Sequence, residues 1–374
     1  ERNLVLQHPL QPFSPAAFGA GDPRRFSYRG QWHPAAGRLS GARDRLPPWF
    51  DAATALASPI EPETELSLDA LRRFLQAPAE QFLRQRLGLR LPELDAAGED
   101  IEPLQAPARG LERMALQRAV FDRLLEGDDA EAMQPALRAR GLLPSGPLGT
   151  RGLAQVIREV APYAQAFAQW RGEGEPTSLA VDVDIEGVRL HGRLGDVWPN
   201  GIVRLRFGTP NGPSSIRNGL DWLLASAAGL DVPFVEVQED VDAGIDAHLR
   251  ARIAQDDAVA ALRSLIALRR EGLQQPLPFA PYSGWELFAT RDDVASGLKK
   301  AAGKWRGNER GWAEGDIDAI RLALRGRDPF LDAASLHDFA RISGIVFGAV
   351  TRGMPMAIEL ADAPLPDDDA EDAA

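Results

Sequence analysis

The stretch that decides the predicted fold is Leu190-His-Gly-Arg-Leu-Gly-Asp-Val-Trp-Pro-Asn-Gly-Ile-Val-Arg-Leu-Arg-Phe207. Apolar residues alternate with other residues on both sides of Pro199-Asn200-Gly201, whose residue types favour a tight turn. The stretch therefore predicts a β-hairpin. Because side chains alternate between the two faces of a strand, Arg204 and Arg206 are predicted to share one face of the second strand.

This hairpin resembles the core hairpin of the RecB-like nucleases of the PD-(D/E)XK superfamily. Those enzymes carry a strand similar to Gly-Arg-Ile-Asp-Arg-Val, followed by a strand similar to Ile-Val-Asp-Tyr-Lys. The first Asp and the second acidic residue hold a divalent metal, and the Lys helps to position the attacking water. Gly192 and Arg193 fit the first strand, but Gly195 stands at the first metal-binding Asp. Arg204 stands at the second acid and Arg206 at the Lys.

The resemblance implies a degenerate catalytic site. Magnesium is a hard cation that needs oxygen ligands, and Gly195 offers none. Arg204 adds a positive charge that cannot be removed by deprotonation. We therefore expect no catalytic residue, no bound metal and no other cofactor. Asp196 points to the other face of a regular strand and would approach a metal only through a bulge; an active nuclease with a shifted site built from Asp196 and Asp184 is the alternative.

Composition limits the classes of function. The chain has 374 residues, a net charge of −12 and no cysteine, which excludes disulfides, thiolate zinc sites and iron–sulfur clusters. The acidic balance argues against a protein that coats DNA non-specifically, but it is compatible with a local basic channel. No apolar run approaches the length of a membrane helix. The chain begins at Glu1 rather than Met, so we expect it to be part of a longer protein.

Five regions are predicted along the chain: an extended arm and linker at 1–62, a helical region at 63–175, a nuclease-like sheet core at 176–240, a helical region at 241–358 and an acidic, disordered tail at 359–374. Helices are predicted at about 67–88 with a break at Pro78, and at about 111–126, 131–140, 150–170, 214–228, 255–272, 284–302, 315–325 and 333–350. A further strand is predicted at 234–237. The fold class is therefore α/β: a PD-(D/E)XK-like core with a small mixed sheet, embedded in many helices.

Other segments carry a second resemblance. The arm His8-Pro-Leu-Gln-Pro-Phe-Ser14, then Phe26-Ser-Tyr28, and later Arg325-Gly-Arg-Asp-Pro-Phe330, are similar to the C-terminal domain of the RecC family, the gamma subunits of exodeoxyribonuclease V. This resemblance covers nearly the whole chain. It implies a non-catalytic subunit domain of the RecBCD helicase–nuclease, acting in homologous recombination and double-strand break repair in the bacterial cytoplasm.

The same resemblance implies partners. These are the RecB and RecD subunits, forked double-stranded DNA and its separated single strands, with no membrane. The implied role is to hold the partner subunits and to help split the duplex. A pure protein–protein scaffold that never touches DNA is the alternative, which the acidic balance favours.

The strongest DNA-binding candidate holds all three lysines of the chain, in Lys299-Lys300-Ala-Ala-Gly-Lys304-Trp305-Arg306. Arg310 and Trp312 follow. Basic side chains bind phosphates and an aromatic ring can stack on a base, so we expect this segment to contact DNA. In the other interpretation it is a solvated helix end whose lysines complement the helix dipole.

A glycine-rich loop, Gly208-Thr-Pro-Asn-Gly-Pro213, precedes a predicted helix. Backbone amides at a helix N-terminus can bind a phosphate group. A plain turn requires the same residue types without any ligand, and both interpretations stay open at this point.

Overall fold

The computed structural model describes residues 5–19, 21–28, 30–36, 56–57, 63–91, 106–240, 244–307 and 312–360. It divides into two compact units, Glu1–Pro47 and Pro48–Ala374. Most of the predicted acidic tail and residues 308–311 lie outside the described residues.

The first unit has little regular structure. Its described residues form two 3-10 turns, Pro15–Phe18 and Gly30–Ala35, and no α-helix or strand. The ring centroids of Phe13 and Trp32 lie 6.3 Å apart. The Pro-rich sequence of this unit lacks helical and strand periodicity, which accounts for the irregular backbone.

The second unit contains one mixed sheet and many helices. Its described strands are β1 Glu65–Ser67, β2 Thr177–Ile185, β3 Val188–Trp198, β4 Gly201–Leu205, β5 Phe234–Asp240 and β6 Gly244–Leu249. Its described α-helices are α1 Leu68–Gln76, α2 Pro78–Arg86, α3 Gly110–Glu126, α4 Ala130–Ala139, α5 Gly146–Arg171, α6 Gly212–Ala227, α7 Gln255–Gly272, α8 Pro281–Ala289, α9 Val294–Arg306, α10 Asp318–Leu324 and α11 Ala333–Arg352. The predicted α/β class with a small mixed sheet is confirmed. No helix within these described ranges is both long and apolar enough to cross a membrane.

The long strand β3 organises the sheet. Strand β2 pairs with it antiparallel along one side, while β1, parallel, and β4, antiparallel, share its other side. Strand β5 then pairs parallel with β4, and β6 antiparallel with β5. The predicted hairpin is confirmed by the pairing of Val197 with Ile202 and of Trp198 with Gly201. Gly201 has φ +153°, and a Cβ there would lie 2.7 Å from the Pro233 carbonyl oxygen, so only glycine fits.

The sheet separates two hydrophobic cores. Ile202 and Phe234 face α1, α6 and α7, and belong to the core that contains Leu220. Val203 and Val235 face the opposite way, into a core formed with α3, α4 and α5. The alternation of side chains along β4 therefore places Arg204 on the α6 face.

The boundaries of several helices follow from identifiable residues. The predicted break at Pro78 is confirmed: α1 ends before Ala77, and Pro78 opens α2, where its missing N–H leaves no bond unmade. The predicted helix at 284–302 is wrong, because α8 and α9 are separate helices. Asp293 caps α9 by accepting a hydrogen bond from the Ser296 amide at 3.1 Å. Leu287 and Leu298 lie in the same core, so apolar periodicity continued across the break.

Three further elements differ from the sequence prediction. The predicted helix at 315–325 is a 3-10 turn, Glu314–Asp316, followed by the shorter α10. Strands β1 and β6 were not predicted. β1 has only three residues, and the sequence of β6 lacks a regular apolar alternation.

A buried carboxylate holds the start of α8. Glu314 accepts hydrogen bonds from the amides of Tyr282 (2.9 Å) and Ser283 (2.6 Å), and from the Ser283 hydroxyl (2.7 Å). Burial raises the pKa of Glu314, while the bonds from Ser283 and Tyr282 and the charge of Lys304 lower it in part. A negative charge at a helix N-terminus also interacts favourably with the helix dipole. Glu314 thereby fixes α8 to the turn that precedes α10.

We predict that Glu314→Ala destabilises the protein by about 1–3 kcal/mol, because three donors lose their acceptor in a buried place. Urea unfolding gives the measurement, and Asp316→Ala, in the exposed part of the same turn, is the control. A raised folded-state pKa also means that wild-type stability falls as pH rises from the ordinary value of 4.5 through the raised value. Glu314→Ala has no titrating carboxyl at this position, so this loss of stability with rising pH should be absent from the variant. A loss no larger than that of Asp316→Ala would contradict the capping role.

Candidate functional site

The structure brings Gly195 and Arg204 together, as the predicted hairpin requires. The Arg204 Nη1 donates a hydrogen bond to the Gly195 carbonyl oxygen at 2.8 Å. Arg204 is 9% exposed. A Cβ built on Gly195 has no atom within 4 Å, so the position of the expected first metal ligand is open space with no side chain.

A β-bulge changes the place of Asp196. Gly195 and Asp196 together lie opposite the single residue Ser178 of β2, and Asp196 has φ 49°. Because a bulge re-aims the side chains that follow it, the Asp196 Oδ2 lies 3.9 Å from the Arg204 Nη1. The expectation that Asp196 points away from the Arg204 face is therefore wrong. Only a glycine inside a strand pointed to this bulge before the structure was known.

The guanidinium of Arg204 forms a buried ion pair with Asp221 of α6. Its Nε and Nη2 donate to the Asp221 Oδ2 at 3.0 and 2.8 Å. Arg72 of α1 donates to the other oxygen, Oδ1, at 2.6 Å. Asp221 is 6% exposed and is thus held between two guanidinium groups. Its hydrogen bonds to Arg204 and Arg72 connect α6 with β4 and α1. Asp221 and Arg72 were not predicted as site residues, since neither lies within the hairpin motif.

A second buried ion pair lies beside the first. Glu236 of β5 is the register partner of Arg204, and it accepts from the Asn218 Nδ2 at 2.8 Å. Arg250 donates to both oxygens of Glu236, at 2.6 and 3.2 Å. The Arg250 guanidinium also lies 5.0 Å from the Trp222 ring centroid. Both buried carboxylates of this face therefore have both of their oxygens occupied by donors.

These residues do not fit a divalent metal. Among the residues that the structure describes, no three His, Asp or Glu side chains converge as metal ligands. A cation at Asp221 or Glu236 would have to displace guanidinium groups from buried carboxylates, which leaves buried charges without partners.

The shifted site of Asp196 and Asp184 does not form either. Asp184 pairs with Arg189 near the start of β3, whereas Asp196 lies at the bulge near its end. Seven residues of strand separate these two places, or roughly 23 Å. One metal ion cannot contact both carboxylates.

Arg206 does not form a hydrogen bond within the Arg204 ion pair. It follows the end of β4, and its Nε donates to the Thr209 carbonyl oxygen at 2.5 Å. Burial lowers the pKa of Arg206, and the charge of Arg217 lowers it further. The group nevertheless stays charged at neutral pH.

The loop Gly208–Pro213 uses its own donors. The Asn211 side chain accepts from the Ser214 amide at 3.0 Å, and the Ser214 hydroxyl interacts with the Asn211 amide at 3.0 Å, which completes a capping box at the start of α6. The Gly208 amide donates to the Tyr163 hydroxyl at 2.8 Å. The turn interpretation is therefore favoured over the phosphate-binding one.

The predicted DNA-binding segment forms α9, and its aromatic residue is buried. Trp305 is 4% exposed and packs against Phe330 and Phe339. The hypothesis that Trp305 stacks on a base does not agree with this burial. The Arg306 Nε binds the Asp328 Oδ2 at 2.6 Å. Leu298, Ala301, Ala302 and Trp305 form the apolar stripe of α9, a spacing that assigns Trp305 to the core.

The lysines of the segment face solvent to different extents. Lys299 and Lys300 are exposed. The Lys304 Nζ lies 5.4 Å from the Tyr282 ring centroid. The ring of Trp312, which is 54% exposed, lies 5.5 Å from the same Tyr282 ring. The aromatic ring beside the Lys304 ammonium group is therefore that of Tyr282, which in turn contacts the Trp312 ring. The Trp305 ring lies in the core instead.

We predict that Arg204→Leu costs about 3 kcal/mol or more of stability, because it leaves the buried Asp221 with only Arg72. The double variant Arg204→Leu with Asp221→Leu should cost less than the two single changes added together. Urea unfolding of the four proteins gives the coupling. The control is Arg252→Leu, whose partner Asp231 is exposed and whose loss should cost less than about 1 kcal/mol. Equal costs for Arg204→Leu and Arg252→Leu would contradict a structural role for the buried pair.

Comparisons with known proteins agree on one family. A family model described as the RecC C-terminal domain matches residues 63–292. The RecBCD enzyme subunit RecC of Escherichia coli (strain K12) is 28% identical over 330 residues, which cover 84% of this chain and 28% of that protein. The corresponding subunit of Mycolicibacterium smegmatis is 27% identical over 340 residues, 88% of this chain and 30% of the relative.

A third relative, the RecBCD enzyme subunit RecC of Mycobacterium tuberculosis (strain H37Rv), is 29% identical over 342 residues, 87% of this chain and 30% of the relative. The chain therefore spans less than a third of the length of these relatives. Since the family match covers more than half of the chain, the chain belongs to the family of RecC C-terminal domains.

Proposed function

We propose that this chain is a non-catalytic, nuclease-like domain of a RecBCD-type helicase–nuclease subunit. It scaffolds the RecB and RecD subunits and helps to split and guide duplex DNA during double-strand break repair in the bacterial cytoplasm. The observation that supports the proposal is the buried ion pair of Arg204 and Asp221, because the resemblance to the nuclease motif puts Arg204 at the second metal-binding acid.

The nuclease-like core is part of the proposal. Its support is the order of elements, in which α5 is followed by β2, β3 and β4, then by α6 and β5. The parallel pairing of β4 with β5 across α6 agrees with such a core. We retain the predicted division at 62, 175, 240 and 358 as the regions of this domain. The apolar, proline-rich arm at 1–62 suits a subunit interface better than a DNA contact.

The chemistry of the ion pair supports the absence of catalysis. A guanidinium group neutralises a carboxylate and donates hydrogen bonds, but it does not bind a water molecule as a Lewis acid does. Arg206, which stands at the expected Lys, binds a loop carbonyl instead. The alternative of an active nuclease draws support only from the bulge that turns Asp196 towards Arg204.

We predict no cleavage of single-stranded or double-stranded DNA by this chain with Mg²⁺ or Mn²⁺. Gel analysis of labelled DNA over a long incubation is the measurement. Metal-dependent cleavage that disappears in Asp196→Ala, and persists in the exposed control Asp231→Ala, would overturn the proposal and favour the active nuclease.

We also predict that a metal site can be rebuilt. Gly195→Asp with Arg204→Asp adds two carboxylates beside Asp196 and Asp221, and Gly195 has open space for the new side chain. Close carboxylates repel, so the variant should lose stability without metal. Mn²⁺ should then raise its melting temperature, because a ligand bound only by the folded state stabilises it. Adding Arg206→Lys completes the motif without changing this expectation.

Thermal melts with and without Mn²⁺ test the rebuilt site. The matched control is Gly195→Asn with Arg204→Asn, which changes the same positions without adding negative charge. Neither the control nor the wild type should respond to Mn²⁺ as strongly. Equal metal responses in all three proteins would show that the two positions do not form one site.

A further inference from the structure

A cavity of about 420 Å³ lies beside the second buried ion pair, that of Glu236 and Arg250. Its walls come mainly from α6, β5, α8, the end of α11 and the connection between β6 and α7. Cavities of roughly 300–1,000 Å³ that combine aromatic walls with a few polar groups are the usual binding sites of small ligands. The cavity therefore has the size and the composition of a binding site.

Two charged groups of the cavity wall already neutralise each other. Arg250 donates to both oxygens of Glu236 through its Nε and Nη2, and its Nη1 donates to the Val350 carbonyl oxygen at 2.6 Å. All three nitrogens of the guanidinium group are thus engaged, and the group also lies over the Trp222 ring. This pair gives the cavity a fixed wall but no free charge for a ligand.

Three other polar side chains line the cavity: those of Ser215, Gln238 and Arg352. None of the three forms a side-chain hydrogen bond or an ion pair with a residue that the structure describes. Ser215 is only 5% exposed, whereas Arg352 is exposed at the end of α11. A buried hydroxyl without a partner costs free energy, which a ligand that bonds to it recovers.

Two tryptophans form the apolar part of the cavity. Trp222 is 4% exposed and Trp285 is half-buried. The Trp285 ring is held by Phe288 and Phe347, with centroids 6.3 and 5.3 Å away. Rings that are fixed before binding offer a large contact area at a small conformational cost. An aromatic group of a ligand therefore fits against Trp285.

The charge of the cavity selects the charge of the ligand. Of the charged side chains that line it, Arg352 alone has no partner within the part of the chain that the structure describes. A guanidinium group binds one carboxylate through two parallel hydrogen bonds. A phosphate monoester carries a charge of about −1.5 to −2 at pH 7, so its second charge would lie near Glu236 without a cation to neutralise it. The cavity therefore favours a monoanion.

We infer that this cavity binds a carboxylate attached to an aromatic group, with the carboxylate on Arg352 and Ser215 and the ring against Trp285. Such a group occurs at the C-terminal residue of a peptide and in a free aromatic acid. The inference goes beyond the proposed function and does not depend on it, because it involves neither DNA nor the Arg204 ion pair.

The test uses the complete 374-residue chain and a fluorescently labelled peptide, Gly-Ser-Gly-Ser-Phe, with a free C-terminal carboxylate. Fluorescence anisotropy gives its affinity. The same peptide with a C-terminal amide should bind about tenfold more weakly or worse, because the charge-assisted hydrogen bonds are missing. Arg352→Gln should weaken binding of the acid by about the same factor and leave binding of the amide almost unchanged. Ser215→Ala should weaken binding of the acid by about threefold, since one neutral hydrogen bond is lost.

Competition by N-acetylphenylalanine separates the two sources of the carboxylate. Displacement of the labelled peptide as effective as that by unlabelled peptide would identify a free aromatic acid as a sufficient ligand. Much weaker displacement would identify the C-terminus of a peptide, whose preceding residues then add to the binding.

The matched control for Arg352→Gln is Arg252→Gln. Arg252 has a side chain that is 74% exposed, on the connection between β6 and α7, and it does not line this cavity. The control should bind the peptide as the wild type does. Thermal melts check that every variant is folded.

Four outcomes would overturn the inference: no binding of the peptide acid by the wild type, equal affinities for the acid and the amide, equal affinities of Arg352→Gln and Arg252→Gln, or stronger competition by adenosine monophosphate than by N-acetylphenylalanine. The last would show that the cavity prefers a phosphate group. None of these outcomes bears on DNA cleavage with Mn²⁺, so the inference and the proposed function fail separately.

Discussion

The buried contact between Arg204 and Asp221 is the constraint on which the sheet core depends. Two charged groups lose their hydration when they are buried. Only a close, well-oriented ion pair with further hydrogen bonds compensates for that loss. Here the Arg204 guanidinium donates hydrogen bonds to the Asp221 carboxylate and to the Gly195 carbonyl oxygen. Arg72 donates a hydrogen bond to the remaining oxygen of Asp221. The hairpin, α6 and α1 are therefore fixed to one another by a polar contact inside an otherwise apolar core.

The same contact explains why neighbouring positions have the residues they have. Arg204 and Glu236 are adjacent on β4 and β5, and Glu236 is compensated in turn by Arg250 and Asn218. A metal-binding cleft concentrates negative charge, which a divalent cation then neutralises. This face instead alternates cations and anions that neutralise one another. The buried charge of Arg204 is tolerated at this place because Asp221 neutralises it.

The sequence predicted those parts of the fold that depend on local pattern. The hairpin followed from alternation around Pro199–Gly201, and the break at Pro78 followed from the missing amide donor of proline. The bulge at Asp196 was not predictable, because it depends on how β2 pairs with β3 and not on the residues of β3 alone. Asp221 was missed for the same reason: it lies 17 residues from Arg204 along the chain and meets it only when α6 packs on the sheet.

The burial of Trp305 shows how two physical interpretations of one segment are separated. A basic run with an interleaved tryptophan suits nucleic acid, but residues 298, 301, 302 and 305 also share one face of a helix. Burying a large aromatic ring stabilises the folded protein more than leaving the ring exposed to water. The helix therefore packs Trp305 into the core and leaves Lys299 and Lys300 exposed. Trp312 belongs to no helix, so no apolar stripe draws it into the core, and it remains where Tyr282 and Lys304 meet solvent. Arg204, Arg250 and Arg269 lie largely inside the fold, and each pairs with a carboxylate, so these cations do not offer a free charge to an anionic ligand.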